Sequence, residues 1–156
     1  MWILRTAMLL ALVVWVGGII FFAFVLAPTL FSVLPSPQMA GSVVGPALTK
    51  LHWMGLIAGV VFLACSLTSD WIRFARFKPL TAANVLVVLM LVLTAISQFG
   101  ITPRMRELRA GSLASSSARD EFDRLHSWST RLEGGVLFLG VALVVLIGRR
   151  SGERTH

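Results

Sequence analysis

The chain has 156 residues, 56% of them hydrophobic and 13% charged, with a net charge of +7. An average soluble domain carries about twice that charge density, so the composition excludes a water-soluble globule and leaves room for a single membrane domain over 1–156. The positive charge fits span ends, where Lys and Arg reach lipid phosphates. No basic stripe with interleaved aromatics and no nucleic-acid motif accompanies it, so membrane lipids are the expected surroundings and nucleic acid is not an expected partner.

Four apolar runs predict an all-α fold, an integral membrane four-helix bundle with spans at about 7–34, 47–69, 79–102 and 129–148. The first run, Ala7 to Leu34, is uncharged. It is far longer than the apolar stretch of about 7–15 residues in a cleaved leader, so it reads as a retained span. Pro28 inside it predicts a kink or tilt. Gly17 and Gly18 open a surface for close approach, with Trp15, Gly18, Phe22 and Val25 following helical spacing on one face.

The segment Leu34 to Ala47, rich in Pro and Gly, predicts an interfacial turn with room for a short helix after Ser36-Pro37. Gly45-Pro46 is then expected to open span two, because Pro suits the first helical turn. The lone Cys65 lies within span two and has no partner for an intrachain disulfide; it reads as a small apolar filler.

Span three should stop or kink near Pro103. Arg104 to Gly111 then reads as a short polar helix along the surface, the first part of a helical extramembrane segment over 103–128. Ser115 to Ser117 mark a break, and Ser117 with Asp120 resembles a capping box that starts a new helix at Ala118. That helix has the register to run into span four. Gly134 to Gly148 offers only fifteen uncharged residues, against the roughly 20 a span needs. The helix must therefore borrow from 129–133, which draws Arg131 and Glu133 to the interface.

Lys and Arg tie at seven on each side of the membrane. The tight clusters beside span ends (Arg73, Arg76 and Lys78; Arg149, Arg150 and Arg154) favour both termini in the cytoplasm, in a bacterial inner membrane.

Two crossings separate His52 from His126, so both lie near the same membrane surface. On a helix, Asp123 precedes His126 by three residues, Ser129 follows by three, and Glu133 by seven, on one face. Asp123 is placed to accept the Nδ1 proton of His126, the usual support for a metal-bound imidazole. Met54 points to a different face from His52, and His156 is terminal. Three readings compete. The polar groups anchor helix ends; or His52 and His126 ligate haem iron or copper; or the arginines hold a small molecule or lipid headgroup. No nucleophile elbow, Cys-x-x-Cys, phosphate loop or dinucleotide fingerprint occurs. No catalytic residue is assigned. The main mid-membrane polar residues, Asn84, Ser97, Gln98 and Cys65, are too few for a continuous ion path.

The segments WVGGIIFFAFVLAPTLF, LTKLHWMG, ITPRMRELR and FDRLHSWSTRLEG together resemble the transmembrane-protein-205-like family of small four-span proteins, catalogued in bacteria as a domain of unknown function. The most specific part is the aromatic/Leu-His-x-x-Ser pattern around Phe122, His126 and Ser129. Where that family tends to carry an Asn after the Ser, this chain has Arg131 and Glu133. More distantly, the Trp-x-Gly-Gly start with a later Ala-Pro is similar to copper-resistance-D-type membrane proteins and to small membrane protoporphyrinogen oxidases. That similarity implies histidines handling copper or porphyrin. The expectation is a membrane protein holding haem b or copper at a vestibule of His52 and His126, with Asp123, Ser129 and Glu133 around it. The alternatives are a structural subunit or accessory partner of a larger complex, or a homo-oligomer, using a packing face of Trp15, Gly17, Gly18 and Pro28, or a protein that handles a small molecule or lipid.

Overall fold

The computed structural model describes residues 2–74, 80–111 and 115–152. Pro79, Arg76, Lys78, Arg154 and His156 lie outside the described residues. The described backbone is helical apart from short connections. Helix α1 spans Trp2–Phe21, followed by a wide π turn over Phe22–Leu26 and by α2, Ala27–Val33. Helix α3 spans Pro37–Phe74, and α4 spans Ala82–Ala95. A second π segment, Ile96–Ile101, leads into α5, Thr102–Ala110, and α6 runs over Ser116–Gly152. Four stretches, Trp2–Val33, Pro37–Ile72, Ala82–Ala110 and Ser116–Arg149, are long and apolar enough to cross a membrane.

The long helices correct several expected boundaries. Leu34 to Ala47 is not an interfacial turn. The backbone leaves the helix at Leu34 (φ −81°, ψ 143°). It re-enters after Ser36, whose hydroxyl accepts from the Met39 N–H at 3.3 Å. Pro37 then occupies the first helical position, where its missing N–H costs nothing. The helix continues through Gly45-Pro46 without a break and reaches 38 residues. Likewise, α6 starts before Ala118. Its cap is Ser115, whose Oγ accepts from the Ala118 N–H at 3.2 Å, and it runs for 37 residues. At 1.5 Å per residue each helix is about 55 Å long, against a hydrocarbon core of about 30 Å. Both therefore project well beyond the bilayer.

Both π segments end two residues before a proline, Pro28 in one case and Pro103 in the other. The pyrrolidine ring would collide with the carbonyl four residues back and has no N–H to offer it. A widened turn relieves that conflict. Ala27 donates to the Phe22 carbonyl and Thr102 to the Ser97 carbonyl, each five residues back. The expected kink at Pro28 thus takes the form of a wide turn, and Pro103 does not end the third span. The helical backbone passes through it to Ala110, so the Arg-rich segment continues the span and is not a separate helix.

α1 packs on α3 and α6, and α4 packs on the same two helices. This places α3 and α6 across the interior from one another. The core gathers Trp15, Ile19, Phe62, Val87, Met90 and Leu143, all buried. Trp15 fits α3 because Gly55 and Gly59 lack side chains: a Cβ at Gly59 would stand 2.6 Å from Trp15 Cζ3 and from Leu91 Cδ2, and one at Gly55 would overlap the indole. Close backbone approach at small residues is the usual basis of helix packing in lipid. Gly18 lies against Met54 and Leu51, whereas Gly17 faces open space and Pro28 is exposed. Of the expected packing face, Trp15 and Gly18 therefore point inward, and Gly17 and Pro28 do not. Val13, Phe24, Val60 and Phe138 are exposed, as suits side chains solvated by acyl chains.

Candidate functional site

The polar side chains concentrate at one end of the bundle, where α3 and α6 overhang the span. Three helix faces meet there. α3 contributes Gly41, Ser42, Gly45, Thr49 and His52; α5 contributes Thr102, Met105, Arg106 and Arg109; α6 contributes Phe122, Ser129 and Glu133. Each set follows the three- and four-residue spacing that keeps side chains on one helix face. Between them lies a chamber of about 240 Å³, whose lining includes Ser42, Leu48, Thr49, Thr102, Arg106 and Ser129.

Arg109 forms one wall of the chamber. Its Nη1 donates to the Gly41 carbonyl at 2.5 Å, and its guanidinium carbon lies 5.2 Å from the centroid of the Phe122 ring. The guanidinium can lie so close to α3 only because Gly41 and Gly45 have no Cβ; one would stand 2.9 Å or 2.8 Å from its nitrogens. Arg104, on the outer face of α5, is different. It forks onto Glu121 at 2.8 and 3.1 Å and reaches Glu107 at 3.2 Å.

Beneath the chamber lies a buried polar node. His52, 1% exposed, donates from Nδ1 to Gln98 Oε1 at 2.9 Å, and its Nε2 meets Glu133 Oε1 at 2.5 Å. With Nδ1–H given to an amide oxygen, one proton lies between Nε2 and the carboxylate. The pair is net neutral whichever atom holds it. This removes the main cost of placing ionisable groups at membrane depth. Ser97 and Ser129 approach to 3.5 Å between hydroxyls, and Ser129 also lines the chamber. Ser97 and Gln98 are consecutive yet both buried, because the π segment they occupy widens the turn that would otherwise aim one of them outward.

The sequence paired His52 with His126, and the structure brings His52 to Gln98 and Glu133 instead. His126 is exposed and stacks on Phe122, with ring centroids 6.3 Å apart. It stands two helical turns before Glu133, about 10 Å along the axis, on the part of α6 beyond the node. Asp123 is also exposed. Its backbone carbonyl accepts from Ser127, and among the described residues no side-chain hydrogen bond joins it to His126. Arg131 is exposed, over the Trp128 ring at 5.5 Å. Sequence reasoning missed Gly41, Gly45 and Arg109 as a unit. The four-residue spacing of the glycines was the available signal, but it fell in a segment read as a turn. Gln98 was noted only as a polar residue in an apolar run. Such a residue needs a partner in lipid, and that requirement is what leads to His52.

A family model described as a domain of unknown function, DUF4149, matches residues 10–113. The match covers three of the four spans and α5, including His52, Gln98 and both chamber arginines. No curated protein and no solved structure matches the chain.

Proposed function

From the premise that the chain belongs to the DUF4149 family, a domain of unknown function, we propose an integral membrane protein that handles a small amphiphile or lipid in the chamber between α3, α5 and α6. One observation carries this reading: a cavity lined by both hydroxyls and arginines opens beside a fully bonded ionisable pair at an end of the bundle. Concave sites with a few convergent polar groups on an apolar wall are the usual form of small-molecule sites. Surrounding membrane lipids are the nearest supply of such ligands. The resemblance to the transmembrane-protein-205-like family supports the same location, because Phe122 of its most specific motif lies against Arg109 and Ser129 lines the chamber. With both termini cytoplasmic in a bacterial inner membrane, as the arginine clusters suggest, the chamber opens on the outer face.

A haem or copper between His52 and His126 fits these residues less well. Both ring nitrogens of His52 are bonded within the protein, so ligation would require Glu133 or Gln98 to withdraw. No cluster of three or more His, Cys, Asp or Glu that could hold a metal occurs among the described residues.

The test is native mass spectrometry of gently solubilised protein beside Leu48→Trp, which fills the chamber, with circular dichroism to verify the fold of the variant. Wild type is expected to retain a bound species that Leu48→Trp has lost. Equal occupancy in the two proteins rejects the reading. A Soret band, or stoichiometric copper, that disappears in His52→Ala would replace it with the cofactor reading.

A further inference from the structure

We infer that the chamber takes a phosphate-bearing anion whose head group also carries hydroxyls, held by Arg106 and Arg109; the inference rests on the chamber being an amphiphile site. Charge selects the anion. α5 presents three arginines around the site, and their partners differ. Arg104 faces away and is satisfied by Glu107 and Glu121. Arg106 and Arg109 line the chamber, and among the described residues neither has a carboxylate partner. Arg109 is partly desolvated, held over Phe122 and against Gly41 with one of its N–H groups used. A desolvated cation without a counterion is unfavourable, and its remaining donors form a rigid fork suited to phosphate.

The direction of the hydroxyl protons selects the rest of the head group. Ser42 donates to the Met39 carbonyl at 2.7 Å, Thr49 to the Gly45 carbonyl at 3.1 Å, and Thr102 to the Ser97 carbonyl at 2.9 Å. Each proton is committed to the helix backbone, so these oxygens meet the chamber as acceptors. They repel an anion and attract a donor. The phosphate therefore belongs at the arginines, and the hydroxyl-lined wall of α3 takes hydroxyl groups of the ligand. Pro46, Leu48 and Met105 supply the apolar lining along which the hydrocarbon part leaves. A choline head group, which has no donors, satisfies only half of this arrangement.

The experiment is calorimetric titration of the full chain in lauryldimethylamine oxide micelles with three probes: dihexanoyl phosphatidylglycerol, dihexanoyl phosphatidylcholine and glycerol 1-phosphate. Phosphatidylglycerol is expected to bind about tenfold more tightly than phosphatidylcholine, and Arg106→Gln to weaken both about tenfold, because both carry the phosphate. The Arg106 side chain is exposed, so this variant keeps its fold; Arg109→Gln is read beside it. Glycerol 1-phosphate binding as tightly as the lipid supports the same chemistry with a water-borne source. Phosphatidylglycerol and phosphatidylcholine binding equally, with Arg106→Gln unchanged, overturns the inference. If both are then lost in Leu48→Trp, the amphiphile site itself survives; if Leu48→Trp binds both as wild type does, that reading falls as well.

Discussion

Helix α3 carries two pairs of glycines at the same four-residue spacing, Gly55 with Gly59 and Gly41 with Gly45, and opposite chemistry fills them. The first pair receives the Trp15 indole, 3% exposed and packed among aliphatic side chains. The second receives the guanidinium of Arg109, beside a polar chamber. The backbone device is identical, a bare patch of helix that lets another group come close. The occupant decides what the patch does. A rigid ring in the apolar half locks α1 to α3, whereas the end of a flexible chain in the overhanging half holds a charge in position. Close approach in a membrane bundle therefore need not signify helix packing alone. It also provides a seat for a cation where water is scarce and backbone carbonyls can serve as partners.

The largest effect is expected at the junction of the two halves. His52→Leu removes one member of the buried pair and strands Glu133; the expected loss is about 3–5 kcal/mol of stability. The double variant His52→Leu with Glu133→Leu is expected to regain more than half of it, because no uncompensated charge remains. Denaturant unfolding in mixed micelles measures both, and equal losses in the single and double variants would show that the pair contributes only packing.

Next in size is Gly59→Leu, which overpacks a site already occupied by Trp15 and Leu91 and is expected to cost about 1–3 kcal/mol. Gly45→Ala makes the sharper contrast. The atoms it meets are the tip of Arg109, which can move, and alanine favours a helix over glycine by up to about 1 kcal/mol. Its unfolding midpoint should stay within a few degrees of wild type, while phosphatidylglycerol affinity falls severalfold. A large drop in stability for Gly45→Ala, or none for Gly59→Leu, would erase the distinction between the two pairs.

The smallest effect belongs to the outermost contact. Glu121 accepts two hydrogen bonds from Arg104, and an exposed pair of this kind contributes little to stability. Glu121→Gln should therefore lower the unfolding free energy only slightly and change ligand binding little; a loss in denaturant unfolding as large as that of Gly59→Leu would show that the pair does more than close the outer face.

The four spans are legible from apolar runs alone, because lipid tolerates few other sequences of that length. The helix ends are less so. Ser36-Pro37 and Ser115 act as caps within segments whose Pro, Gly and Ser content also suits turns, and only tertiary contacts decide between the two. For the site, periodicity put Ser129 and Glu133 on one face of α6. It did not supply depth, since His126 shares the face of Glu133 but lies two turns further out. It also did not identify Gln98 as the second partner of His52. That contact joins helices 46 residues apart and depends on how far each is rotated about its axis. The rotation of the third span is set by a wide turn that hydrophobic spacing does not reveal.

That wide turn, Ile96–Ile101, amounts to one surplus residue in the helix. An α-helix advances about 100° and 1.5 Å per residue. Deleting Phe99 or Gly100, both exposed, would let the turn close into regular helix. The surplus residue is what widens the turn, so its removal leaves the helix beyond it facing as before, and Arg106 and Arg109 should still line the chamber. Deleting Val88 from the regular helix α4 would instead swing everything after it by about a quarter of a revolution. Phosphatidylglycerol binding should persist in the first deletion and fall to background in the second. The wide turn is thus the place where this span can gain or lose a codon without moving its anion site.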